Sequence, residues 1–222
     1  MSAALRVNVE LPSSQRVPMG APKPRARVVL ADETLSVPLV VGRQLRKAIV
    51  AGDLSFGSRT ELVHYLVDAQ AQLGFDMVVR LLDKRDYSER QLTERLARDG
   101  YWDKPVRAIV EHASRLRLVD DARFADVFIR SKMGAGWGLA RIERELRQRG
   151  IEPDALAGWP EQYQETPELE RALALASRRR LTGKDPYAKL VRFLCGRGFS
   201  ASVAHEVAQR LAHDAEEQWR AS

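Results

Sequence analysis

The chain has 222 residues, 45% of them apolar, enough to bury a core in one large or two small domains without cross-links. Its single cysteine, Cys195, excludes an internal disulfide framework, and 36 basic against 30 acidic side chains leave a net charge of +6 that suits a polyanionic partner without requiring one. The opening MSAALRVNVELPSS lacks the apolar run of a secretion signal and no later stretch could span a bilayer, so a soluble, cytoplasmic protein is expected.

Residues 1–25 are rich in proline and serine and are predicted to form a disordered tail. Arg27 to Leu30 and Thr34 to Val40 flank Ala31-Asp32-Glu33 as the strands and turn of a hairpin. A helix over 42–51, with Leu45, Ala48 and Ile49 inward, ends near Gly52. These elements make a small α+β unit over 26–72, and Ser58 caps a further helix that carries Leu62, Tyr65, Leu66 and Ala69.

Beyond Phe75 the chain is helical and repetitive. Gly100-Tyr101, Gly150-Ile151 and Gly198-Phe199 are spaced 50 and 48 residues apart. Leu92 and Leu96, Ile142 and Leu146, and Leu190 and Leu194 precede their glycines by eight and four residues. Three copies of one three-helix module account for this, over 73–119, 120–166 and 167–222. Pro153, Gly158 and Pro160 interrupt the third helix of the second copy, which is expected to be short, and Gln162 to Pro167 reads as a linker. Cys195, beside Leu194, reads as a small core residue.

The second module carries the functional argument. Phe124, Val127, Phe128 and Ile129 gather on one side of its first helix, and Gly134, Gly136 and Gly138 end that helix. Leu139, Ile142 and Leu146 then share one face of the next, while Arg141, Arg144 and Arg147 fall opposite. Glu143 and Glu145 lie four residues before Arg147 and Arg149, so two arginines can be neutralised locally. Arg141 and Arg144, with Arg130 and Lys132 upstream, leave a positive surface. The third module repeats the pattern, with Arg178, Arg179, Arg180, Lys184, Lys189, Arg192 and Arg197 opposed only by Asp185 between residues 178 and 198. For any single arginine a solvated helix face is the simpler reading. Two basic faces in matching modules, however, can join into one stripe.

Catalytic and cofactor motifs find no support. Gly134 to Gly138 lacks the preceding strand and the glycine spacing of a dinucleotide fingerprint, Gly183-Lys184 lacks a phosphate loop's upstream glycine, and the four histidines show no zinc-ligand spacing. No enzyme, cofactor or metal is expected.

The run Asp120-Asp121-Ala122-Arg123-Phe124-Ala125, then Gly136-Trp137-Gly138 and Arg141 through Ile151, resembles the RecX family of bacterial regulatory proteins. Asp86 through Leu92 in the first module, and Arg192-Phe193-Leu194 with Gly198-Phe199 in the third, are similar to the family's pattern too. The resemblance covers about residues 75–212. It implies a mainly α fold of three tandem three-helix modules and a role in binding the RecA recombinase and its filament on single-stranded DNA. It further implies restraint of filament growth and activity in recombination, DNA repair and the SOS response.

The leading expectation is therefore a monomeric, elongated, curved repeat whose basic face contacts RecA filaments and DNA with low sequence specificity. The contact residues it names are Arg130, Lys132, Arg141, Arg144, Arg147, Arg178, Arg179, Lys189 and Arg192. The alternative is a direct DNA-binding regulator of gene expression, because Leu92 to Ala113 resembles a helix-turn-helix; Arg107 alone is a weak base reader for that purpose.

Overall fold

Leu5, Val7, Val9 and Leu11 alternate with Arg6, Asn8 and Glu10, a period of two that makes a strand, β1 (Asn8–Glu10), with Val9 buried. It borders the expected hairpin of β2 (Arg25–Val29) and β3 (Thr34–Pro38) in an antiparallel sheet of order β1-β2-β3. The computed structural model describes residues 5–13, 23–179 and 185–220, with side chains as far as residue 214. The expected disordered tail is thereby corrected. Residues 5–13 and 23–25 are ordered around this sheet, because alternation outweighs the proline content there, and the rest of 1–25 lies outside the described residues.

The described residues are mainly α-helical, and the chain divides into two compact units, Met1–Asp120 and Asp121–Ser222. In the first, α1 (Leu39–Ala51) lays Val41 and Leu45 onto the sheet and ends at the left-handed Gly52. Ser58 caps α2 (Arg59–Leu82), its hydroxyl accepting from the Glu61 N–H. This helix runs unbroken through residues 72 and 73, so the boundary expected there falls within a continuous element. Its first half packs on the sheet and its second half on α3 (Glu89–Arg98) and α4 (Asp103–Arg115). Polar ties fasten the same junction. The fully buried Gln70 side chain accepts from the Trp102 N–H at 2.9 Å, and the Trp102 indole donates to the Ser36 carbonyl at 2.7 Å. A reciprocal capping box between Ser88 and Gln91 starts α3.

The second unit holds α5 (Asp121–Gly134), α6 (Leu139–Gln148), α7 (Glu168–Ser177), α8 (Pro186–Arg197) and α9 (Ala201–Arg220). Asp185 caps α8 as Pro186 enters its first turn. Where the second module was expected to have a short third helix, the chain makes two 3-10 turns, Pro153–Ala155 and Glu161–Tyr163. Tyr163, from the expected linker, is buried with Ala125, Ile129, Ile142 and Leu146. Two residues read as inward are not: Val127 is 53% exposed, because Ala125 and Ile129 define the inner side of α5, and Cys195 is exposed, a full 100° around α8 from buried Leu194.

All three repeat glycines are left-handed, with φ of +94° at Gly100, +78° at Gly150 and +93° at Gly198. In each, the following N–H reaches back to the leucine carbonyl of the preceding turn: Tyr101 to Leu96, Ile151 to Leu146 and Phe199 to Leu194, at 3.0 to 3.2 Å. The glycine N–H closes the inner bond of the same motif, and the apolar residue after it is buried against that leucine's core.

Two consequences are measurable. Ile142 is wholly buried, so Ile142→Ala should cost about 2–5 kcal/mol in chemical denaturation. Burial, and secondarily Asp99, push the Tyr101 hydroxyl up from 10.0 to about 12. Between those values the unfolded chain loses a proton that the folded one retains, so stability should fall as pH rises across that window. Urea unfolding of Tyr101→Phe should show a shallower alkaline loss than the wild-type chain.

Candidate functional site

On α6, the buried Ile142 and Leu146 set which arginines face outward. Arg144 is exposed and has no ion-pair partner among the described residues. Arg141 is half-buried, its guanidinium 3.7 Å from the Trp137 ring centre and its Nε buried without a hydrogen-bond partner. Lys132 reaches the same indole at 5.1 Å and the Phe128 ring at 5.4 Å. Trp137 therefore gathers two of the predicted cations on one aromatic platform.

Two predicted contact residues prove to be compensated within the fold. Arg147 lies 3.4 Å from Glu143, 3.7 Å from Glu152 and 3.9 Å from Asp154. The first is the i,i+4 pair visible in the sequence; the other two arrive because the 3-10 turn replacing the third helix folds back beside α6. Arg130 is held by Asp126 at 3.1 Å and approaches Glu165 at 4.0 Å, with the Tyr163 ring 5.4 Å away. Burial, then Asp126, raise the pKa of the Tyr163 hydroxyl. Such exposed pairs contribute about 0–1 kcal/mol; at Arg147 they include the local neutralisation expected from Glu143, and at Arg130 they correct the expectation of uncompensated charge. Arg149 pairs with Glu145 at 2.5 Å, as the spacing predicts.

In the third module Arg178 and Arg192 are exposed, with no ion pair among the described residues, and Lys189 is exposed as well. Arg179 stacks on the Phe193 ring at 4.1 Å. Arg180 and Lys184 lie outside the described residues.

Modules two and three meet by close backbone approach. The Gly138 N–H donates to the Arg197 carbonyl at 3.0 Å, and a Cβ on Gly138 would stand 2.2 Å from the Gly198 carbonyl carbon. The Glu168 carboxylate accepts the Leu139 N–H at 2.9 Å. Arg171, not singled out in the sequence, donates to the Trp137 carbonyl at 3.3 Å, while its Nε and Nη2 are buried without partners. Burial lowers its pKa, offset in part by Glu168. Its only sequence signal is an arginine set in the otherwise alanine- and leucine-rich α7. Among the described residues, no His, Cys, Asp or Glu group could hold a metal, and no helix is long and apolar enough to cross a membrane.

These features define a mainly helical protein in which α3, α6 and α8 each end at a left-handed glycine. Residues 120–157 match the second three-helix domain of RecX. The chain is 37% identical over 142 residues to the regulatory protein RecX of Chromohalobacter salexigens, covering 60% of this chain and 90% of that one. It is 34% identical over 145 residues to that of Halorhodospira halophila, covering 64% and 89%. The chain belongs to the RecX family of regulatory proteins. Two solved RecX structures share its fold. That from Lactobacillus salivarius superposes with a TM-score of 0.55 at 18% identity, over 64% of this chain and 97% of that one. A second superposes at 0.58 and 20% identity, over 83% and 94%.

Trp137→Ala removes the platform shared by Lys132 and Arg141 along with part of the second core. It should lower stability by about 1–3 kcal/mol in urea unfolding, more than the loss of any one exposed ion pair in the same module.

Proposed function

We propose that this chain is a non-enzymatic cytoplasmic regulator that binds the RecA recombinase and its filament on single-stranded DNA, restraining filament growth and activity during recombination, DNA repair and the SOS response. Membership in the RecX family supports the reading, since the similar proteins are named as regulatory proteins. The observation that carries it to residues is Arg144, which stands opposite buried Ile142 and Leu146 with no carboxylate partner among the described residues. A nucleoprotein filament offers both acidic protein patches and phosphate to such a guanidinium. Arg141 and Lys132 beside it, and Arg178, Arg179, Lys189 and Arg192 in the next module, extend the contact. Arg130 and Arg147 would join only by exchanging their intramolecular carboxylates for phosphate, which is a small cost at the surface.

Arg144→Glu tests the assignment. The unfolding free energy should stay within about 0.5 kcal/mol of the parent, because the side chain is exposed and has no ion pair among the described residues. Inhibition of recombinase ATP hydrolysis should weaken by about tenfold, a change of about 1.4 kcal/mol in binding. Anisotropy titrations should favour recombinase-coated strand over bare single strand and random duplex, with a log–log salt slope on single strands of about −0.7 per phosphate contacted. Unchanged inhibition would remove Arg144 from the interface, and sequence-selective duplex binding would point to a direct regulator of gene expression instead.

A further inference from the structure

The first unit carries a second cationic surface that the proposed function leaves unused. On α1, Val40, Arg43, Lys47 and Val50 recur at i, i+3, i+7 and i+10, which sets them in one stripe along the outside of the helix. All four are exposed, Val40 by 46% and Val50 by 79%, and Arg46 beside them is exposed too. The helix contains no acidic residue. Its cations have no ion-pair partner among the described residues, although many other cations among them are paired.

A cleft opens on either side of this stripe, and Arg43 lines both. One, of about 280 Å³, is also lined by Leu73, Met77, Tyr101 and Arg80. The other, of about 450 Å³, lies between Leu11 and the Lys47 to Val50 turn. Among the described residues, Asp99 is the only carboxylate lining either cleft, and it is already held by Lys23 at 2.7 Å and Arg95 at 3.3 Å. Arg43, Arg46, Lys47 and Arg80 thus line the clefts without an ion pair among the described residues, beside apolar Leu11, Val50, Leu73 and Met77.

We infer that the outer face of α1 docks an acidic protein segment that alternates carboxylates with apolar side chains. The carboxylates meet Arg43, Lys47 and Arg80, and the apolar side chains enter the two clefts. A single-stranded nucleic acid fits less well, because such sites pair a basic track with exposed aromatic rings on which bases stack. Here the one cleft aromatic among the described residues, Tyr101, is 5% exposed, and the exposed apolar groups are valines, which offer a base no stacking face. Docking at α1 is independent of the Arg144 surface, and its test contains no recombinase, so either assignment can fail without the other.

The experiment uses the full chain and a fluorescein-labelled synthetic peptide that interleaves aspartate with leucine, read by anisotropy. Its controls are the same peptide with asparagine for aspartate, and a single-stranded oligonucleotide of matching charge. The double variant Arg43→Glu, Lys47→Glu should weaken peptide binding at least about tenfold, and Val50→Ser by about threefold, with oligonucleotide binding unaltered. If the charge reversal prevents folding, as seen by circular dichroism, Arg43→Gln with Lys47→Gln gives the same reading with a smaller change. No peptide binding, binding indifferent to these substitutions, or equal binding of the asparagine peptide would overturn the inference. So would an oligonucleotide that loses affinity in parallel with the peptide, which would make the face a nucleic-acid site.

Discussion

A single backbone constraint recurs through the molecule: a helix must stop, reverse hand for one residue, and deliver an apolar side chain back to the core it has just built. Gly100, Gly150 and Gly198 meet it identically, each in the left-handed region and each followed by a buried Tyr101, Ile151 or Phe199. A side chain at any of these positions would incur backbone strain, and at Gly198 it would also collide with Arg141. The cap bonds satisfy helix-end carbonyls that would otherwise be left unpaired beside an apolar core, so chain reversal and core closure are accomplished by the same few residues.

That economy explains how the second and third modules adhere. Gly138 starts α6 and Gly198 ends α8, and neither position tolerates a Cβ: one on Gly138 would meet the Gly198 backbone, and one on Gly198 would meet Arg141. Around this contact the chain places charged groups in a partly desolvated setting: Glu168 on the free N–H of Leu139, and Arg171 on the Trp137 carbonyl. Arg171 is left with two buried nitrogens, Nε and Nη2, lacking partners, a local cost accepted where the modules join. The same Trp137 presents its ring to Arg141 and Lys132, so the aromatic that helps close the second core also orients the cations on its surface.

Electrostatics in the second unit are therefore selective. Of the arginines on α6 and at its C-cap, Arg147 and Arg149 are paired, Arg141 is stacked and half-buried, and Arg144 is exposed without an ion-pair partner among the described residues. A net charge of +6 thus says less about binding than does the identity of the cations left uncompensated. In the first unit the same criterion separates the face of α1 from the paired arginines around it, such as Arg59 with Glu33 and Arg27 with Glu10.

The sequence by itself determined the helical character beyond Phe75, the glycine ends of α3, α6 and α8, the hairpin and the paired Glu145–Arg149, because each depends on contacts within a few turns or on a period that repeats along the chain. It also carried β1 in the alternation of Leu5, Val7, Val9 and Leu11, a signal that the neighbouring prolines obscured. Tertiary structure alone decided that α2 would run through residues 72 and 73, that Cys195 and Val127 would face outward, and that Tyr163 would enter the core. It also decided which cations are available, since Glu152 and Asp154 reach Arg147 only once the 3-10 turn has folded back. The division has a physical origin: helix periodicity and capping are local, whereas the charge state of a surface depends on which distant carboxylates or rings the packed chain brings within a few ångströms of it.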